Sequence, residues 1–270
     1  MMAAPVSSIP HISNLATSGE SENEKAPTIR FTGVEELFRE INRVSGDFLV
    51  VTHVSPHDFD QIDRLRCQAR PKGRKFRLRR YHADAGILVV TIPTELHESL
   101  HIQLYEGFRD QLVESGKSDS SGGPDPERAS KGAWPTLVIE AGVSESLNEL
   151  HEDMRWWFAA SDHQVKIVLL TKFDLARSAI FLERWEEESC IARPGPTTTR
   201  YATASYPVLR QRIVITRDTT TNPVSYLVTS GALILPFRLL FIREPGSGEG
   251  DFVISIPALE SYARTAWLLV

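Results

Sequence analysis

Residues 136–170 constrain the fold more tightly than any other stretch of the chain. Thr136 to Ala141 (TLVIEA) is short, apolar and rich in β-branched residues, which suits a buried strand. Ser146-x-x-Glu149 has the form of a capping box, and Leu147, Leu150, Met154, Trp157 and Phe158 fall on one helical stripe behind it. Val165 to Leu170 (VKIVLL) is a second strand, reached after that helix. Two strands joined this way run parallel, and the crossover is right-handed, because only that hand packs the helix back onto a twisted sheet. The expected class is therefore α/β.

The rest of the chain reads less sharply. Residues 1–29 are rich in Ser, Ala, Pro and Glu without periodicity, as in a disordered tail. Thr32-x-x-Glu35 resembles a second capping box, with Val34, Leu37, Phe38 and Ile41 as its stripe and Gly46 as its stop. Phe48 to Val54 reads as a buried strand. Arg64 to Arg80 holds nine basic residues, broken at Pro71 and Gly73 as at a hairpin turn or loop. Within it, Phe76 and Leu78 alternate with basic neighbours, as on an exposed strand. Ala85 to Ile92 is an apolar strand, and His97 to Glu114 a helix buried along Leu100, Leu104, Phe108 and Leu112. Residues 115–133 read as a loop. Beyond Asp174, strands are expected at Ile180–Trp185, Val208–Arg217, Val224–Val228, Ala232–Phe241 and Phe252–Ile256, then a helix from Ala258 to Leu268. The expected division is a tail (1–29), a core with an N-terminal helix and basic hairpin (30–174), and a β-rich extension packed on it (175–270).

A formal net charge of -5 argues against a generally basic, nucleic-acid-coating protein, although it leaves local patches open. Cys67 and Cys190 are the only cysteines, too few for a disulfide framework or a cysteine-rich zinc site. The start of the chain lacks a basic stretch followed by a sustained apolar one. The longest apolar runs are strand-sized, against the roughly 20 residues needed to cross a bilayer. A soluble, intracellular protein without a membrane partner is expected.

Chemistry concentrates around Glu140. Alternation along a strand turns Val138, Glu140 and Gly142 to one face and Leu137 and Ile139 to the other. A carboxylate near the carboxyl end of a buried strand must reach solvent or meet a cation. A divalent metal is one such cation, and Mg2+ takes one or two carboxylates with water and substrate phosphate. Asp125, in the loop ahead of the strand, supplies a second carboxylate. Glu98 or Glu106 on the preceding helix supplies a third.

The order of acidic helix, Pro124-Asp125, Thr136-Leu-Val-Ile-Glu140 and crossover helix resembles the PD-(D/E)XK nuclease superfamily. The segment WPTLVIEAGVSESLNELHEDMRWWFAASDHQVKIVLL is also similar to a group of fungal proteins associated with that fold. The resemblance covers about Tyr81 to Asp174. It implies a restriction-endonuclease-like mixed sheet flanked by helices, here with a β-rich C-terminal extension, and Mg2+- or Mn2+-dependent phosphodiester hydrolysis. Asp125 and Glu140 would be metal ligands and Glu98 the helical acid. The superfamily places Lys two residues after the strand acid, where this chain has Gly142, so Lys166 or Arg155 would have to substitute. Nucleic acid would be held by Arg74, Lys75, Arg77, Arg79 and Arg80, whose charges neutralise backbone phosphates.

Each of these residues also has a plainer role open to it. Asp125 suits a turn after proline, Glu140 an edge carboxylate paired with Arg or Lys, and Glu98 the first turn of a helix. The basic run suits a solvated hairpin. His53 and His57 are separated by Pro56 and do not share a helix face, and Trp156 and Trp157 suit packing better than base stacking. The rival to a nuclease is thus a non-catalytic module that keeps the fold and binds nucleic acid or protein, with the C-terminal strands as interaction surface.

Overall fold

The computed structural model describes residues 27–68, 74–114, 133–191 and 203–270. In chain order the elements are β1 (Thr28–Arg30), α1 (Val34–Arg43), β2 (Phe48–Thr52), α2 (Pro56–Gln68), β3 (Arg77–His82), β4 (Ile87–Thr91), α3 (Glu95–Glu114), β5 (Leu137–Gly142), α4 (Leu147–Ala160) and β6 (Ile167–Asp174). They continue with β7 (Ala179–Ile191), β8 (Thr203–Asp218), β9 (Ser225–Val228), β10 (Leu233–Leu235), α5 (Phe237–Phe241), β11 (Phe252–Ile254) and α6 (Ile256–Trp267). The class is α/β, with mixed sheets flanked by helices. No helix of the described residues is long and apolar enough to cross a membrane.

Two sheets carry the fold. The first has the order β1-β2-β4-β3, with β1 parallel to β2 and the other pairs antiparallel. Its buried side chains, including Leu49, Val51, Leu88 and Val90, pack with Leu37 and Ile41 of α1 and Ile62 of α2. The second has the order β5-β6-β7-β8-β9 and begins with the expected parallel pair, Leu137 opposite Ile167 through Gly142 opposite Lys172. One face of it packs on α3 and α6 through residues such as Leu169, Leu182, Ile215, Leu100 and Ala263. The other face packs Val138, Val168 and Leu170 on Leu150, Met154 and Phe158 of α4. Strand β7 adds to β6 by a hairpin, so residues beyond 174 continue this sheet. Glu183 of β7 is fully buried, yet its carboxylate accepts from Trp185 Nε1 at 2.9 Å and Arg212 Nε at 2.8 Å and meets His151 Nε2 at 2.6 Å.

Several expectations change at this level. A two-stranded hairpin within the basic run is not formed among the described residues: its first part is the end of α2, and β3 pairs with β4, with Gly86 at positive φ in the turn, while the expected break at Pro71 and Gly73 lies outside the described residues. Helix α2 starts because Pro56 fits a first helical position. Its entry is fixed by Asp58, which accepts from the Ser55 backbone N–H at 3.0 Å while its own N–H donates to Ser55 Oγ at 3.2 Å. Thr32 does not cap α1, whose N-cap is Gly33 without a side-chain bond. Ala232 to Phe241 is not one strand, because Pro236 ends β10 and caps α5. Strands β3 and β4 also stand in a different sheet from β5 and β6, so a single sheet does not run through 79–174.

The box that opens α4 is formed as expected: Ser146 accepts from the Glu149 N–H, and Glu149 Oε2 accepts from the Ser146 N–H at 2.8 Å. Ser146→Ala should lower stability by about 1 kcal/mol, seen as an earlier urea midpoint at unchanged slope. An unchanged midpoint would show that packing alone sets the start of α4.

Candidate functional site

Glu140 stands on the α4 face of β5, as alternation requires, but its surroundings are not those of an open carboxylate. Its Oε1 accepts a 2.5 Å hydrogen bond from Trp157 Nε1, and its Oε2 lies 3.6 Å from Arg79 Nη2. The same guanidinium contacts Glu145, in the loop after β5, and Asp153 of α4. Arg80 contacts Asp153 as well and reaches Glu152 at 2.8 Å. Two consecutive arginines can face α4 because β3 carries a bulge between Leu78 and Arg80, where register with β4 slips by one residue. Asp47, buried just before β2, completes the seam by accepting from the backbone N–H groups of Val143 at 3.0 Å and Ser144 at 2.8 Å.

Burial and charge balance set the electrostatics. Arg79 is shared among three carboxyls, and their burial costs more than it returns to each. Burial pushes the Glu140 and Asp153 carboxyls up against the attraction of Arg79. Glu145, 1% exposed, is pushed up by burial to about 8. Arg79 is raised, since its three carboxylates outweigh its own burial. His97 lines the same cleft from α3, and burial holds its imidazole below the usual histidine range. The cleft is about 260 Å3, with Leu78, Thr91 and Trp156 among its walls. Trp156 is half exposed and meets Trp157 edge-on at 5.0 Å.

The expected site residues are only partly brought together. Asp125 lies outside the described residues. Glu98 stands one residue round α3 from His97, 3.9 Å from Arg77 Nη2, in a neighbouring cleft. Glu106 and Arg155 are exposed. Lys166 is at the far end of the pair: its backbone N–H bonds Thr136 O at 2.9 Å and its ammonium donates to His163 O at 2.7 Å. Four strand residues separate that end from Glu140, about 13 Å. Of the basic residues, Arg74 donates to the carbonyls of Val44 and Gly46, and Arg79 and Arg80 are drawn into the carboxylate seam. Lys75 and Arg77 face outward.

Gly142 has a packing reason. A Cβ there would lie 3.1 and 3.2 Å from the two methyls of Leu150 and 3.2 Å from Glu145 Oε2, so a lysine fits only if these move. Directly across the parallel pair stands Lys172, nearly buried, its ammonium donating to Val143 O. Lys172, Asp47, Glu145 and Asp153 were not singled out from sequence. Lys172 and Asp153 had a readable signal, since each interrupts an otherwise apolar strand or stripe. Asp47 and Glu145 had none, because loop acids are common.

Among the described residues, no group of three or more His, Cys, Asp or Glu side chains could hold a metal ion. No protein-family model, curated protein or solved structure matches the chain.

Replacing Arg79 by Ala leaves buried carboxyls without their cation and should cost about 3–5 kcal/mol of stability, measured by chemical denaturation. The pH response has a definite sign. The folded chain holds the Glu145 proton up to about pH 8, whereas the unfolded chain releases it near 4.5. This contribution is therefore complete below 4.5 and lost as pH rises through 8. Glu145→Gln should flatten the fall in unfolding free energy over that window; an unchanged slope would place the titrating group elsewhere.

Proposed function

We propose that the chain is a non-hydrolytic relative of the restriction-endonuclease-like nucleases, a binding module in which an internal ion pair takes the place of a metal seat. The observation that carries this reading is the position of Arg79. Its guanidinium lies among Glu140, Glu145 and Asp153, where a divalent cation would need the same oxygens. Trp157 holds the other Glu140 oxygen. The residues in place do not fit Mg2+ or Mn2+ without expelling Arg79. Gly142, packed on Leu150, adds to this, because no side chain can act from that position.

The inward turn of Arg74, Arg79 and Arg80 favours a protein partner over nucleic acid. Two of the five expected phosphate contacts, Lys75 and Arg77, remain outward. The C-terminal strands offer apolar surface instead: Leu227 of β9 is 65% exposed. Val214 and Phe181, half-buried, lie on the same face of the sheet.

One observation favours the second reading, a metal-dependent nuclease with Asp125 and Glu140 as ligands. Lys172 brings an ammonium to the face and level of Gly142, so a relocated lysine stands close to the usual place. That reading requires Arg79 to leave the carboxylates.

Calorimetric titration of Mg2+ and Mn2+ into wild type and Glu140→Ala, with plasmid and single-strand cleavage on the same samples, separates the two. The module reading expects no binding heat and no cleavage from either protein. Binding and cleavage that vanish in Glu140→Ala would overturn it in favour of the nuclease, and Lys172→Met should then also abolish cleavage.

A further inference from the structure

The four-stranded sheet ends in β3 on one side and β1 on the other. At the start of β3 lies a cleft of about 660 Å3, whose lining includes the four cations Arg66, Arg74, Lys75 and Arg77 and one carboxylate, Glu98, among the described residues. Arg74 is turned to backbone carbonyls and Arg66 lies 2.7 Å from Asp63. Lys75 is exposed and the Arg77 side chain is 68% exposed, 3.9 Å from Glu98. This is a local excess of positive charge on a chain whose net charge is -5.

The sheet register shows where the chain ahead of β1 is heading. Thr28, Val50, Val89 and Arg80 form one row across the sheet, and Phe48, Thr91 and Arg77 form the row two residues earlier in β2. Both β1 and β3 run in the direction of β2, so the chain preceding Thr28 leaves toward the row of Arg77. The ladder already extends one step that way, with Val50 N–H bonded to Pro27 O at 2.9 Å. Three strand spacings separate β1 from β3, about 14 Å. An extended chain spans about 3.3 Å per residue. The stretch Glu20-Ser21-Glu22-Asn23-Glu24, outside the described residues, ends four residues ahead of Thr28 and has an acid at every second position. Extended, such a stretch presents all three carboxylates on one face.

We propose that Glu20–Glu24 docks in this cleft, its alternate carboxylates facing Arg66, Lys75 and Arg77. Each exposed pair contributes little by itself, so docking depends on tethering, which keeps the acids at high local concentration. It also weakens with salt, because Lys75 and Arg77 are solvent-exposed.

Zero-length carbodiimide cross-linking of the full chain tests this, with peptide mapping by mass spectrometry on an equal mixture of isotopically heavy and light protein. The expected product joins Lys75 to Glu20, Glu22 or Glu24 within one chain. Its yield should fall severalfold in Arg77→Glu, which keeps every reacting group, and again when salt rises from about 0.05 to 0.5 M. Absence of the Lys75 product, or a yield indifferent to Arg77→Glu and to salt, would overturn the proposal. Products joining heavy to light chains would overturn it too, making a second copy the occupant.

Discussion

The guanidinium of Arg79 leaves one sheet on a strand bulge and lies among three carboxyls, Glu140 on β5 of the other sheet, Glu145 in the loop after it and Asp153 on α4, and it is the central contact of the seam that joins the two sheets. The apolar clusters do not do this work. One surrounds the first sheet with α1 and α2, and the other two lie on opposite faces of the second sheet. Between them runs a polar seam of Asp47, Arg79, Arg80, Glu140, Glu145 and Asp153. Too few cations serve too many acids there, which is why burial raises the carboxyls despite the arginine beside them. A buried ion pair of this kind is weak evidence for net stability but strong evidence for geometry, since removing one partner strands the rest.

What was legible in the sequence was what depends on local pattern. Alternation grouped Glu140 with Val138 and Gly142 on one face of β5, the face that packs on α4, and the Ser146–Glu149 box and its apolar stripe placed α4. The parallel pairing of β5 and β6 follows from having a helix between two strands. Where long-range partners decide, local pattern carries no signal. The helical end of the basic run is hidden because, among its described side chains, α2 fully buries only Ile62, with Phe59 and Leu65 partly buried, so charge obscures its period. That β3 and β5 belong to different sheets has no local signature. The inward turn of Arg79 requires the bulge at Leu78, and nothing in Arg77-Leu78-Arg79-Arg80 announces it.

The same distinction governs the candidate site. A strand acid with a helix behind it fits both a metal seat and an ion-paired seam, and the side chain that chooses comes from a strand about sixty residues earlier. Gly142 points the same way from another direction: Leu150 fills the space in which a side chain at that position would have to start. Lys172 keeps an ammonium in the neighbourhood, but it is turned to the carbonyl of Val143. The carboxyls of this seam are thus paired mainly with cations from the chain itself.

The most direct test is a crystal structure grown with excess Mn2+ and measured at the manganese absorption edge. The account predicts Arg79 in contact with Glu145 and Asp153 and no anomalous peak beside Glu140. A peak between Glu140 and a second carboxylate, with the Arg79 side chain displaced, would contradict it.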